Sequence, residues 1–331
     1  YDDAHIAGAV SAEVNGTSDE VTSAEKENVK AVVDKYGKDK TYVVICYSGN
    51  RYAKKATGFM RDLGVDNNNI LTMTGGMGAW RTAGYDVDHY NYTNADTTFS
   101  KMKDSSYVIL DARKAADYDN GHIAGAVSAD VGYYIDNKYS SKDEAAANVK
   151  AVVDKYGKDK KYIVICYSGN RYAKVATGLL MNNGIKNANI ETLGGDDSKQ
   201  SAAGGMKAWN AKYASYVVAK HTSSGNFNFA NGIKPENLKA DVDGQKVFTV
   251  MDVRAAKDFN PETCVKGAVS TPSDDEAAIM KAVNDNKNGL YVLVCYSGNS
   301  KANAARNTMV KNGVDESRII CLEGGMGAWN K

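Results

Sequence analysis

Two hydrophobic patterns alternate along the chain. Short, nearly unbroken apolar runs such as "SYVILDA" before Arg113, "VFTVMDV" before Arg254 and "TYVVI" before Cys46 lack polar alternation, as strands covered on both faces do. Between them, apolar residues fall three and four apart. Val29, Val32, Val33 and Tyr36 mark one helix face; Ala56, Phe59, Met60 and Leu63 mark another, on a helix from Tyr52 to about Leu63. Thr22 to Glu25 and Ser141 to Glu144 have capping-box spacing, and Gly37, Gly64 and Gly157 stand where helices stop. The strand "ILTM" and a short helix holding Trp80 follow. Strands alternating with helices predict an α/β fold, a mostly parallel sheet with helices on both faces and ligands at the carboxyl ends of the strands. Cys46, Cys166 and Cys295 each stand at such an end, immediately before a helix.

The pattern repeats. Residues 28–58 match 148–178 except at Thr41/Lys161, Val43/Ile163 and Lys55/Val175, the mark of a recent duplication. "HIAGAVSA" occurs at His5 and His122, and "GGMGAW" or "GGMKAW" ends at Trp80, Trp209 and Trp329; the more diverged third unit keeps "KGAVS", "CYSGN" and "GGMGAW". These words divide the chain into domains at 1–92, 95–222 and 227–331. Tyr1 aligns with Tyr118, so the first domain is expected to lack the strand that the others carry as "VILDAR" or "TVMDVR". Residues cleaved or not included upstream explain this more simply than a strand borrowed from a neighbouring chain. The second domain carries an insertion, Gly194 to Gly205, expected to form a lip over the Cys166 site.

Composition narrows the function. With 41 basic and 40 acidic residues the net charge is +1, so neither a nucleic-acid surface nor a polybasic membrane surface is expected. Hydrophobic content of 43% with 24% charged residues is that of a soluble globular protein, and no apolar run approaches the roughly 18 residues of a membrane span. Five cysteines, three of them equivalent by repeat, do not read as a disulfide framework. There is no Cys-x-x-Cys pair, His5, His89, His122 and His221 are scattered, and no Gly-Lys-Ser/Thr loop occurs, so no metal or cofactor is expected. Two locations stay open: unpaired thiols suit the cytoplasm, and a Tyr- and Asn-rich, Pro-poor composition suits a bacterial cell envelope.

The cysteine word carries the candidate chemistry. A thiol is nucleophilic as thiolate, and backbone N–H groups at a helix N-terminus favour an anion there. In Cys46-Tyr47-Ser48-Gly49-Asn50-Arg51, glycine and asparagine tolerate the positive φ that turns N–H groups inward, and the arginine adds a fixed cation suited to an oxyanion. The same holds for Cys166 with Tyr167, Ser168, Gly169, Asn170 and Arg171. In the third copy, Cys295 with Tyr296, Ser297, Gly298 and Asn299, Ser300 replaces the arginine and Lys301 follows. An isolated cysteine after "VVI" is ordinarily a core residue. A strand end, a Gly/Asn loop and a closing cation move these away from that reading.

The words "LDARKAADYDNGHIAGAVSA", "CYSGNR" and "GGMKAW", in that order, resemble the signature of rhodanese-like sulfurtransferase domains across nearly the whole chain. The resemblance implies three tandem domains, each a mostly parallel sheet of about five strands flanked by helices. It also implies a sulfurtransferase whose cysteine takes the outer sulfur of a donor such as thiosulfate as a persulfide and passes it to a thiol or cyanide acceptor. An acceptor protein fits the same chemistry. Cys46 and Cys166 then become nucleophiles, and Asp111 with Arg113 and Asp252 with Arg254 match a strand-end Asp-x-Arg of structural role. Related phosphatases use Cys-x5-Arg; the Cys-x4-Arg here favours sulfur transfer and leaves oxyanion reduction or phosphate hydrolysis as the weaker alternative. The neutral loop departs from thiosulfate-using members, which carry charge inside it, so a sulfur relay with little thiosulfate turnover stands as the first alternative. Loss of the arginine's charge-assisted contact is expected to cost about 1.5–3 kcal/mol at Cys295. Cys264, aligned with His122, and Cys321 are expected as packing residues, His5 and His122 as turn residues, and the three tryptophans as core anchors with satisfied indole N–H groups.

Overall fold

The computed structural model describes residues 4–6, 8–14, 22–85, 88–89, 91–132, 143–195, 201 and 203–331. The chain forms two compact units, residues 1–89 and 90–331. Unit 1 contains β1 (Ala4–His5), α1 (Ser23–Tyr36), β2 (Tyr42–Val44), α2 (Arg51–Asp62), β3 (Ile70–Thr72), α3 (Gly76–Thr82) and β4 (Asp88–His89). The capping box at the start of α1 is present: Thr22 and Glu25 exchange side-chain-to-backbone hydrogen bonds. Its counterpart at Ser141 lies outside the described residues. Val29, Val33, Ala56, Phe59 and Met60 join Val14 and Val65 in one core between α1 and α2. Tyr36, expected on that face, is exposed at the end of α1 beneath the Lys35 ammonium.

Parallel pairing of β2 with β3, Tyr42 opposite Ile70, is the centre of unit 1; β1 and β4 form a separate antiparallel pair. Here the expectation of a strand covered on both faces fails. Val43 is 55% exposed, and its neighbour across the register, Leu71, is also exposed. The physical reason is that, among the described residues, β2 has a partner on one edge only.

Unit 2 holds two complete parallel arrays. In the first, β5 (Asn91–Thr93), β6 (Tyr107–Asp111), β8 (Val127–Ser128), β9 (Lys161–Ile165) and β10 (Ile190–Leu193) lie in the order β5-β10-β9-β6-β8, all parallel. The second is a sheet of seven strands. β12 (Asn228–Ile233), β13 (Phe248–Asp252), β14 (Val269–Ser270), β15 (Leu290–Val294) and β16 (Ile319–Leu322) repeat the order as β12-β16-β15-β13-β14. Antiparallel β11 (Val217–Thr222) extends it and pairs with β7 (His122–Ile123), which carries the sheet to the edge of the other array. The helices are α4 (Ala95–Lys101), α5 (Ala115–Asn120), α6 (Asp143–Tyr156), α7 (Arg171–Asn182), α8 (Met206–Tyr213), α9 (Pro235–Asp243), α10 (Glu276–Asp285), α11 (Ser300–Lys311) and α12 (Gly325–Trp329). No helix among the described residues is long and apolar enough to cross a membrane.

His122, expected at a turn, lies instead in β7 and is fully buried. Its Nδ1 is 2.7 Å from the Tyr118 carbonyl and its Nε2 is 2.8 Å from Asn231 Oδ1. Asn231 in turn donates through Nδ2 to the carbonyls of Glu316, at 2.9 Å, and Ile319, at 3.0 Å. One amide thus links β7, β12 and the start of β16 within the seven-stranded sheet. Asn91 makes the same backbone clamp, to Asn187 and Ile190, at the equivalent place in the first array. Burial depresses the His122 pKa below the ordinary histidine value, although the oxygens at both ring nitrogens favour the charged ring. The tryptophan expectation also needs correcting: Trp209 is fully buried with its indole nitrogen unpartnered, and Trp80 and Trp329 are only half-buried.

Replacing Asn231 by Ala strands the buried Ile319 carbonyl and the buried His122 ring nitrogen and should cost unit 2 about 1–3 kcal/mol, read as a lower urea midpoint. Because the folded state binds the His122 proton less well than the unfolded chain, this histidine's contribution is complete above pH about 6.5 and is lost as pH falls toward the depressed value. The urea midpoint of His122→Gln should therefore lose less than wild type between neutral and mildly acidic pH.

Candidate active site

Each cysteine loop begins where a parallel strand ends. β2, β9 and β15 lead into Cys46, Cys166 and Cys295, and α2, α7 and α11 begin at Arg51, Arg171 and Ser300. All five cysteines are unpaired. The turn between is made by glycine alone: Gly49, Gly169 and Gly298 have φ of 71°, 70° and 73°. Asparagine was expected to share this role, but Asn50, Asn170 and Asn299 lie at φ of −121°, −129° and −116°, because they already lead into the helix.

This turn directs backbone N–H groups at sulfur. Asn170 N–H and Asn299 N–H each donate to the cysteine Sγ four residues earlier, at 3.3 Å. At Cys46 burial opposes ionisation, but N–H groups of Ala53, Ser48, Asn50 and Gly49 outweigh it and hold the thiol below its ordinary pKa. Cys46 is half-buried, whereas Cys166 and Cys295 lie almost wholly beneath their loops.

A second glycine turn, which the sequence displayed as the "GGM" word but to which no site role was given, closes the cradle from below. Met77, Met206 and Met326 donate their backbone N–H to the carbonyls of Cys46, Cys166 and Cys295 at 2.9, 2.9 and 2.8 Å. The preceding Gly76, Gly205 and Gly325 have positive φ, and a Cβ there would lie only 2.1, 2.2 and 2.3 Å from the same carbonyls. Reciprocally, a Cβ on Gly49, Gly169 or Gly298 would strike the carbonyl of Met73, Leu193 or Leu322. The signal available in the sequence was the recurrence of both glycine words together in every repeat.

The second-domain insertion does not disturb this contact. Gly205 N–H bonds to Leu193 O at 2.9 Å, the same closure that Gly76 makes with Met73 at 3.0 Å. Of the expected lip, Gly194 to Gly205, residues 196–200 and 202 lie outside the described residues.

In unit 2 the loop tyrosines are held from the short helical turns that follow β6 and β13. Tyr167 donates its hydroxyl to Asp117 at 2.5 Å, and Tyr296 donates to Asp258. Burial and this carboxylate keep the Tyr167 phenol protonated well above its ordinary range. Asp111 and Asp252, buried at the ends of β6 and β13, grip Arg113 and Arg254 at 2.7 and 2.6 Å, and those guanidinium groups lie over the Tyr167 and Tyr296 rings. Asp-x-Arg therefore supports the loop from beneath, and Asp117 and Asp258, six positions after the strand-end Asp, were missed as part of that support.

The outer rims differ. Arg51 and Arg171 are exposed on the first turn of their helices, as is Ser300. Lys301 Nζ reaches Ser273 Oγ at 3.4 Å. Asn299 is engaged by the turn after β11, contacting Ser224 Oγ at 3.0 Å and the N–H of Gly225 at 3.4 Å. Among the described residues no group of three or more His, Cys, Asp or Glu side chains is gathered to hold a metal. Cys264 and Cys321 are buried, and burial pushes the Cys321 thiol strongly up, away from ionisation.

The profile of the family described as "Rhodanese-like domain" matches residues 1–83, 95–212 and 234–331. This chain belongs to the rhodanese-like domain family. No curated protein matches it in sequence. Similar solved structures include a 3-mercaptopyruvate sulfotransferase from Escherichia coli, 19% identical, covering 71% of this chain and 98% of that one at a TM-score of 0.29. They also include a thiosulfate sulfurtransferase from Pseudomonas aeruginosa, 18% identical over 87% of this chain and 56% of that one at a TM-score of 0.26. A rhodanese-like domain protein from Staphylococcus aureus is 28% identical over 30% of this chain and 89% of that one, with a TM-score of 0.24.

Gly205→Ala should lose about 1–3 kcal/mol to backbone strain alone, with the carbonyl clash added, and slow Cys166 modification; Gly178→Ala, in α7 with open space around it, should be neutral or stabilising. Urea unfolding and peptide-resolved alkylation of the two variants read both effects. In the wild-type chain Cys46 should keep reacting with iodoacetamide at a pH where an ordinary cysteine has slowed, followed on its own peptide across a pH series.

Proposed function

We propose that the chain is a sulfurtransferase working through cysteine persulfides at Cys46, Cys166 and Cys295. The observation that carries this is the cradle: backbone N–H groups converge on sulfur in a four-residue loop at the end of a parallel strand. Such a cradle stabilises an anion at that position, first the thiolate and then the terminal sulfur of a persulfide. In the first step the thiolate attacks the outer sulfur of thiosulfate; the new S–S bond forms as the old one breaks, and sulfite leaves with the electron pair. A thiolate or cyanide then attacks the terminal sulfur, departs as persulfide or thiocyanate, and returns the cysteine thiolate. No proton or external electron is needed in either step.

Tyr47 to Arg51, Tyr167 to Arg171 and Tyr296 to Ser300 form the substrate side of this scheme. The backbone of Ser48, Gly49 and Asn50 supports the sulfur, and Arg51 and Arg171 attract the anionic part of the donor from the rim. Ser300 cannot do this, and Lys301 is turned toward Ser273. A second reading, a relay that takes persulfide sulfur from a protein donor, is favoured by the burial of Cys166 and Cys295 and by the uncharged loop.

Chains retaining a single loop cysteine, the other two replaced by Ser, should differ in thiocyanate formation from thiosulfate and cyanide. The Cys295 chain should be slowest by about one to two decades, for loss of a charge-assisted contact. Equal rates from all three would refute the role given to the arginine. Labelling by a small persulfide with no thiosulfate turnover at any site would select the relay.

A further inference from the structure

Cys295 lacks the rim arginine, yet a cation stands one residue further along its helix. We infer that Lys301 and Ser273 form an anion subsite particular to the third domain, which selects a sulfur donor carrying its charge on a short carbon arm: the persulfide of a thiol carboxylic acid. This subsite rests on the sulfur-transfer reading of Cys295. Lys301 lies in the first turn of α11, next to Ser300, and so projects about 100° around the helix from the place of the arginine. Its Nζ is 3.4 Å from Ser273 Oγ. The same two positions are apolar or aromatic elsewhere: Val14 and Val131, both buried, stand for Ser273, and Tyr52 and Tyr172 stand for Lys301. The backbone sets the equivalence, since Ser273 N–H donates to the Val253 carbonyl at 3.2 Å as Val131 N–H does to that of Ala112 at 3.4 Å. In the second domain Tyr172 packs against the core that holds Val131. Only in the domain without the arginine is this touching pair a hydroxyl and an ammonium.

The surroundings direct an anion to this side. Lys301 is half-buried and forms no ion pair among the described residues, so an incoming anion offsets the partial desolvation of its charge. The sheet order puts β14, whose strand end leads to Ser273, and β11 on opposite sides of β15. On the β11 side the turn carrying Ser224 and Gly225 covers Asn299, which is half-buried where Asn50 and Asn170 are exposed. Glu323 adds a carboxylate there: a Cβ on Gly232, in β12, would lie 2.8 Å from its Oε1. In thiosulfate the charged oxygens and the attacked sulfur are bonded to one atom, which fixes the charge at the mouth of the loop. A carbon arm lets the charge reach Lys301 while the outer sulfur lies at Cys295. In the transfer the Cys295 thiolate attacks the outer sulfur of R–S–SH, and the new S–S bond forms as the old one breaks. The thiol acid leaves as thiolate with the electron pair, and the proton stays on the transferred sulfur.

The test uses the full chain with Cys46→Ser and Cys166→Ser and two donors of equal arm and opposite charge, the persulfides of 3-mercaptopropionate and of cysteamine. The initial rate at which the Cys295 peptide gains one sulfur is measured with each, and the acid-to-amine ratio cancels in comparisons between variants the intrinsic difference between the donors. Lys301→Tyr, which installs the residue of the other two repeats, should lower this ratio by about tenfold, the loss expected of a charge-assisted contact. Lys301→Arg, which keeps the charge, should hold the ratio within about twofold of the parent. A ratio that Lys301→Tyr leaves unchanged, with sulfur still gained from both donors, would overturn the subsite and leave the sulfur-transfer reading standing. No sulfur gained at Cys295 from either donor would remove that reading at this site and the subsite with it.

Discussion

Every site in this chain depends on the carbonyl of the loop cysteine being taken by a methionine N–H from the second glycine turn. A strand that ends in a nucleophile must satisfy its last carbonyl without using the N–H groups that the sulfur needs. Here the second turn supplies the donor, so the N–H groups of the cysteine's own loop stay available to sulfur. The two backbones approach too closely for a side chain, and both turns need positive φ. That is why glycine stands at both, and why the two words travel together through all three repeats.

Conserving this contact leaves the surroundings free to vary. The second domain inserts a segment between Leu193 and Gly205 and still closes the same hydrogen bond. The third domain replaces the rim arginine by Ser300 and brings the turn after β11 against Asn299, yet keeps Asn299 N–H on sulfur at 3.3 Å. Thiolate support and donor attraction are therefore separable: the first is backbone geometry, the second a single side chain at the start of a helix. Cys46 combines the arginine with the most accessible thiol of the three. Its loop also has the least support from beneath, because Tyr47 stands exposed.

Much of this was legible in the sequence because its signals are local. Nearly unbroken apolar runs marked β2, β6 and β13, and Thr22 with Glu25 marked the start of α1. The placement of the three thiols at strand ends followed from the same alternation. What was not legible depends on partners distant in the chain. "TYVVI" and "KYIVI" are nearly the same word, but only the second is covered, because burial comes from β6 and not from the strand's own residues. His122 looked like a turn residue because its partner, Asn231, is 109 positions away. Asn50 was credited with positive φ on residue preference, but the helix it leads into fixes its backbone. The indole of Trp209 is buried by apolar neighbours that offer its N–H no acceptor, which no local pattern announces.

The central claim, that these cradles hold a persulfide, is tested most directly by incubating the intact chain with excess thiosulfate, removing the donor and measuring the mass of each cysteine peptide. The account predicts one added sulfur on the Cys46 and Cys166 peptides, a smaller fraction on Cys295, none on Cys264 or Cys321, and removal of the added mass by cyanide. Unchanged masses at all three loop cysteines, with a small persulfide donor equally unable to label them, would contradict it.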